Sequence, residues 1–114
     1  MRPLEVRKYL FDIDQACSLI EQFTSRKAFA DYTSDPMLRS ATERQFGIIG
    51  EALSQLLRLD PGLAEHISES SRIISFRNRL IHGYSDVADE LVWGVVESNL
   101  AILRREVAAL LEEE

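Results

Sequence analysis

Apolar residues recur every three or four positions along four long stretches of the sequence, and this helical spacing limits the fold more than any other feature. It predicts amphipathic helices over residues 3–23, 36–59, 71–82 and 87–111. Residues 26–33 are expected to form a turn or a short helix, and residues 63–70 a connector with one helical turn. No convincing strand is visible. The predicted fold class is therefore all-α, an antiparallel helical bundle of four main helices plus short helical connectors, in a single domain over residues 1–114.

The composition excludes several classes of protein. With 46% hydrophobic and 28% charged residues, the chain is not of the disordered type. A net charge of −6 disfavours a general nucleic-acid coat protein, but a local basic site on an acidic body stays open. No apolar run reaches the length of a membrane span, and the charges in the first ten residues argue against a signal peptide. We therefore expect a cytoplasmic protein.

Cysteine and histidine are too few for a disulfide or a zinc site. Cys17 is the only cysteine and lies on the apolar side of the first predicted helix, where a small buried hydrophobic residue is favoured over a reactive thiol. Together with His66 and His82 it gives no zinc-site spacing, and no glycine-rich phosphate loop is present. We expect no cofactor and no metal.

One arginine of the third predicted helix falls on the apolar side of that helix. On a helical wheel Arg77 lies within the arc of Ile73 and Phe76, whereas Arg72 and Arg79 face outward. Because a guanidinium group stays charged, burial of Arg77 requires a partner.

Two interpretations of Arg77 stay open. The first is a structural ion pair, for which Glu51 and Glu43 of the second predicted helix are the candidates. The second is an anion-binding site near His82. His82 in turn is either a residue that interacts with the C-terminal end of its own helix or a catalyst.

The charge around this helix is locally positive. Residues 71–85 contain three arginines, Arg72, Arg77 and Arg79, and no acid. A phosphate-binding patch is one explanation. For Arg72 and Arg79 a solvated helix face is the simpler one.

Gly47 and Gly50 lie inside the second predicted helix, away from its apolar side. Glycine at such a position costs about 1 kcal/mol of stability relative to alanine. Their presence therefore predicts the close approach of another backbone, within the bundle or across a dimer.

The segment Arg77–Tyr84, with the sequence RNRLIHGY, resembles the Arg-x4-His motif of HEPN ribonuclease domains in the extended form Arg-x4-His-x-Tyr. That form marks HepT toxins of the HepT/MntA toxin–antitoxin family. Residues 43–52, ERQFGIIGEA, and residues 91–93, LVW, with the downstream Asn99-Leu100, also match, so that the resemblance extends from about residue 38 to residue 103.

This resemblance implies a HEPN-like bundle that acts as a homodimer and as a metal-independent endoribonuclease toxin. It implies that Arg77 and His82 are the catalytic pair, with Asn78 as the polar motif residue beside them. It further implies neutralisation by an MntA-like nucleotidyltransferase antitoxin that transfers AMP to Tyr84.

Cleavage by attack of the 2′-hydroxyl needs proton transfer, which suits His82, and a cation for the phosphorane, which suits Arg77. One chain supplies one motif histidine, so we expect a composite site at a dimer interface, with Arg72 and Arg79 as RNA phosphate-binding residues. The alternatives are a catalytically inactive HEPN-like nucleotide-binding adaptor and a helical dimerisation adaptor.

Overall fold

The computed structural model describes residues 2–82 and 87–113, and within these ranges the chain forms helices and no strand. In chain order the elements are α1 (Leu4–Thr24), α2 (Phe29–Ser34), α3 (Pro36–Leu59), a 3-10 turn (Pro61–Glu65), α4 (Ser70–His82), α5 (Asp89–Ser98) and α6 (Leu100–Glu112). The predicted all-α bundle is confirmed.

The two longest helices, α1 and α3, pack against each other and form the centre of the bundle, with α6 on α1 and α4 on α3. Both helices contribute fully buried aliphatic and aromatic side chains to the core, such as Leu10 and Ile13 of α1 and Phe46 and Leu53 of α3. The start of α3 is fixed by Asp35, whose carboxylate accepts hydrogen bonds from the first-turn amides of the helix.

The prediction of a single last helix is wrong at one position. The backbone is interrupted at Asn99, which separates α5 from α6. Asn99 is buried, and its side-chain amide donates a hydrogen bond to Glu69, just before α4. This tertiary hydrogen bond anchors the interruption to the start of α4.

α5 is held mainly by α6 and by the short helix α2, which the sequence left as a turn or a short helix. Tyr32 of α2 is fully buried against Trp93 of α5, with ring centroids 5.4 Å apart. The 3-10 turn begins at Pro61, two residues before the expected connector, and overlaps it at residues 63–65.

Cys17 is fully buried in α1, as expected for a structural cysteine. Burial raises the pKa of its thiol to about 12.

Within the described residues, no helix combines the length and the apolar character that a membrane span needs.

Candidate active site

The orientation of α4 on α3 is set by two aromatic rings. Phe76 is buried and meets Phe46 of α3 edge-on, with ring centroids 5.1 Å apart and an interplanar angle of 87°. Ile73, one turn earlier, is also fully buried. Because Arg77 directly follows Phe76, this packing turns the base of the Arg77 side chain toward α3.

Gly50 of α3 makes room for Arg77. A Cβ atom at residue 50 would lie 2.3 Å from both Cβ and Cγ of Arg77, well inside van der Waals contact. The sequence predicted the close approach of another backbone here, whereas within the described chain the group that approaches Gly50 is the Arg77 side chain. At Gly47 no atom of the described residues, apart from the neighbouring backbone of α3 itself, lies within 4 Å of the corresponding position.

The guanidinium group of Arg77 has two partners. Its Nη2 donates to Glu51 Oε1 at 2.7 Å, and its Nη1 donates to Asn78 Oδ1 at 3.0 Å. Nε is buried and, among the described residues, has no hydrogen-bond partner. The ion pair expected for Arg77 therefore exists, and of the two candidate acids it is Glu51 that forms it.

The Glu51 carboxylate is held in its ionised form. A hydrogen bond donated by Gln55, at 3.0 Å, and the positive charges of Arg77 and Arg58 lower its pKa below the ordinary value. Its side chain is 52% exposed, whereas that of Arg77 is 19% exposed. The pair thus lies at the surface and not in the core.

Arg77 and Glu51 line a groove of about 470 Å³ between α1, α3 and α4, which we call the Arg77 groove. Its lining includes Asp12 of α1, Arg44 and Gly47 of α3, and Ile81 of α4. It has both charged and apolar walls.

His82 is the last residue of α4 and is exposed. It lies one turn after Asn78, so that these two residues share a side of the helix. On an ideal helix, Arg77 and His82 are separated by about 7.5 Å along the axis and by about 140° around it. Tyr84, the expected modification site, lies outside the described residues.

Arg72 and Arg79 are not brought together with Arg77. Both are exposed and line a second groove of about 820 Å³ between α4 and α5, which we call the Arg79 groove and which also includes Gly94. Arg72 pairs with Glu69 at 3.6 Å. The outward orientation predicted for these arginines agrees with the structure, which places them on the other side of α4 from Arg77.

Arg44 is a groove residue that the sequence analysis did not single out. It precedes Gly47 by three residues and Glu51 by seven, a spacing that keeps all three on one side of α3. Once Glu51 had been considered as a partner of Arg77, this spacing could have identified Arg44.

Among the described residues, no group of three or more His, Cys, Asp or Glu side chains could hold a metal ion.

The structure places the Arg-x4-His segment on α4 of a helical bundle, with its arginine lining the Arg77 groove. The family model described as "Ribonuclease HepT-like" matches residues 13–110. The chain belongs to the HepT-like ribonuclease family, and the recognition made from the motif is confirmed.

Several individual proteins similar to this chain also carry ribonuclease names. A protein of Caldanaerobacter subterraneus subsp. tengcongensis named as a candidate RNase is 29% identical, over 95% of this chain and 96% of its own length. A protein of Thermococcus cleftensis named probable ribonuclease HepT is 33% identical, over 86% of this chain and 88% of its own length. A Methanocaldococcus jannaschii protein named as a γ-glutamylcyclotransferase and candidate RNase is 31% identical, over 96% of this chain and 49% of its own length. Comparison with solved structures gives no significant match.

Proposed function

We propose that the chain is a metal-independent endoribonuclease toxin of a toxin–antitoxin pair, with Arg77 and His82 as its catalytic residues. The observation that carries this proposal is the position of Arg77, whose guanidinium group reaches an open groove and is held by the half-exposed carboxylate of Glu51. An RNA phosphate can replace that carboxylate, because both are anions that accept paired hydrogen bonds from arginine.

The reaction begins with attack of an RNA 2′-hydroxyl on the adjacent phosphate. His82 takes part in proton transfer, and Arg77 stabilises the charge that develops on the phosphorane. Asn78 accepts a hydrogen bond from the guanidinium group and helps to orient it. The 5′-oxygen leaves, and the expected product carries a 2′,3′-cyclic phosphate.

The active site is composed of residues from two copies of the chain. One copy supplies one motif histidine, and that histidine lies about 140° around the helix from Arg77. A twofold axis beside α4 supplies two arginines and two histidines to one cleft. Ile81, which lines the Arg77 groove and is 45% exposed, is an apolar residue available to that interface.

Activity is controlled by a nucleotidyltransferase antitoxin that transfers AMP to Tyr84. Tyr84 is two residues beyond His82 in the sequence. The phosphodiester of the AMP group adds about one negative charge, which competes with RNA for the arginines. Incubation with ATP and the antitoxin should add the mass of one AMP to the protein, and this gain should disappear in Tyr84→Phe.

The proposed reaction is tested by RNA cleavage and thermal unfolding of the same variants. His82→Ala should abolish cleavage and cellular toxicity while the melting temperature changes little. His66→Ala, which alters the other histidine, should leave both cleavage and toxicity unchanged. Arg77→Ala should also abolish cleavage. Full cleavage by His82→Ala would contradict the proposed role of His82, whereas wild-type protein that cleaves no RNA and is not toxic would favour the inactive adaptor.

A mixed dimer tests the composite site. Dimers that combine one Arg77→Ala chain with one His82→Ala chain keep one arginine and one histidine in a shared cleft, so they should regain part of the activity that both parents lack. If each chain contained its own complete site, the mixed dimer would remain as inactive as its parents.

The ion pair between Arg77 and Glu51 favours a second candidate, a helical dimerisation adaptor in which this pair is purely structural. In that case Arg77→Ala would lower the free energy of unfolding and wild-type protein would cleave no RNA.

A further inference from the structure

We propose that Arg44 is an RNA phosphate-binding residue of the Arg77 groove. This inference rests on the proposed ribonuclease function and assigns the path of the RNA on the protein surface. It places that path along α3, and not over Arg72 and Arg79 as the sequence suggested.

Arg44 and the ion pair of Arg77 lie on one side of α3. Arg44 and Glu51 both line the groove, two helical turns apart, which corresponds to about 10 Å along the axis. Arg77 is bound to Glu51 at 2.7 Å and is therefore at the far end of the same stretch. An RNA strand with one phosphate at Arg77 can therefore follow this side of α3 and place a second phosphate at Arg44.

The charges in this groove leave Arg44 as the surplus cation. Asp12 is paired with Lys8 at 2.9 Å, and Glu51 is paired with Arg77 at 2.7 Å. Arg44 forms no ion pair and no hydrogen bond within residues 2–82 and 87–113, and its side chain lies in an exposed position. A cation with no anionic partner in the protein is free to bind an external phosphate.

The space between Arg44 and Glu51 is open. Gly47 lies between them, and in the part of the chain that the structure describes an added Cβ atom there would meet nothing within 4 Å beyond the backbone of α3 itself. A ligand can therefore approach the helix backbone at this point. Arg72 and Arg79, in contrast, line the groove on the other side of α4, so a strand that contacts Arg77 is separated from them by the helix itself.

Salt dependence of RNA binding tests this assignment. The probe is a short single-stranded RNA of mixed sequence, and all proteins carry His82→Ala so that the RNA is not cut. Each phosphate contact that is lost reduces the slope of log affinity against log salt by about 0.7. Arg44→Gln should show this reduction, so that its loss of affinity relative to the parent shrinks roughly 2.6-fold between about 50 and about 200 mM NaCl. Arg44→Lys should keep the parental slope.

Arg105→Gln, which removes an exposed arginine of α6, serves as the control for net charge and should leave the slope unchanged. If the parent binds RNA and Arg44→Gln keeps the parental slope, the assignment of Arg44 is overturned and the ribonuclease proposal stands. The same conclusion follows if only the combined Arg72→Gln and Arg79→Gln variant loses slope. If the parent binds no RNA at any salt concentration, the ribonuclease proposal itself is overturned, and the assignment of Arg44 with it.

Discussion

Replacing Gly50 by alanine should destabilise the protein, although alanine is the better helix former. The added Cβ atom would lie 2.3 Å from two carbons of Arg77. Cγ can rotate about the Cα–Cβ bond, but Cβ is fixed by the backbone of α4, so α4 must move from α3. A displacement of about 1 Å is needed to restore ordinary van der Waals contact.

Gly47 provides a matched control on the same helix. Substitution by alanine gains about 1 kcal/mol of helix propensity at either position. Only at Gly50 is this gain opposed by overpacking, which costs about 1–3 kcal/mol. We therefore expect Gly47→Ala to stabilise the protein by up to about 1 kcal/mol and Gly50→Ala to destabilise it by up to about 2 kcal/mol.

Urea denaturation at one fixed protein concentration measures both free energies, since self-association would otherwise alter the apparent stability. A third measurement isolates the contact. An Arg77→Gly background removes the three atoms nearest to the added Cβ, so Gly50→Ala should there be less destabilising than in the wild-type chain and should move toward the effect of Gly47→Ala. Equal effects of the two alanine substitutions in the wild-type chain would refute the reasoning.

Three further predictions concern single side chains. Because the folded-state pKa of Glu51 is lowered, its carboxylate stabilises the fold above the ordinary pKa of 4.5 and loses this effect as the pH falls through the folded value. Glu51→Gln should therefore lower the free energy of unfolding by about 1 kcal/mol or less at neutral pH and leave it unchanged in acid. Urea denaturation at a series of pH values measures both effects. Cys17 should not react with Ellman's reagent in the native state at neutral pH and should react fully in urea, because burial raises the pKa of its thiol to about 12. Asn99→Asp removes an amide donor and places a second carboxylate beside Glu69, so the free energy of unfolding at neutral pH should fall by about 1–3 kcal/mol.

The elements of the fold were predictable wherever helical spacing coincided with strong boundary residues. The range 36–59 agrees with α3, because Asp35 and Pro36 begin it and Asp60-Pro61 ends it. The interruption at Asn99 was not predictable, since the apolar spacing continues through it and the hydrogen bond to Glu69 joins residues distant in the sequence.

The candidate site was predictable in part for the same reason. The helical wheel identified Arg77 as an inward-facing arginine, because this follows from the period of a single helix. It left Glu51 and Glu43 of the second predicted helix as candidate partners. The choice of Glu51 over Glu43 depends on how α4 is rotated against α3, which the contact between Phe46 and Phe76 decides. The wheel also gave the outward direction of Arg79 but not the groove that it lines, since that groove depends on α5.

α4 acts as a partition between two surfaces, with Arg77 opening to one side and Arg79 to the other. These arginines are only two positions apart in the sequence, yet a molecule bound to one is screened from the other by the width of a helix. A double variant that removes the charges of Arg77 and Arg79 would therefore alter both surfaces at once. Its loss of activity or binding could not be assigned to either surface. Substitutions along this helix are informative only when each side is changed alone.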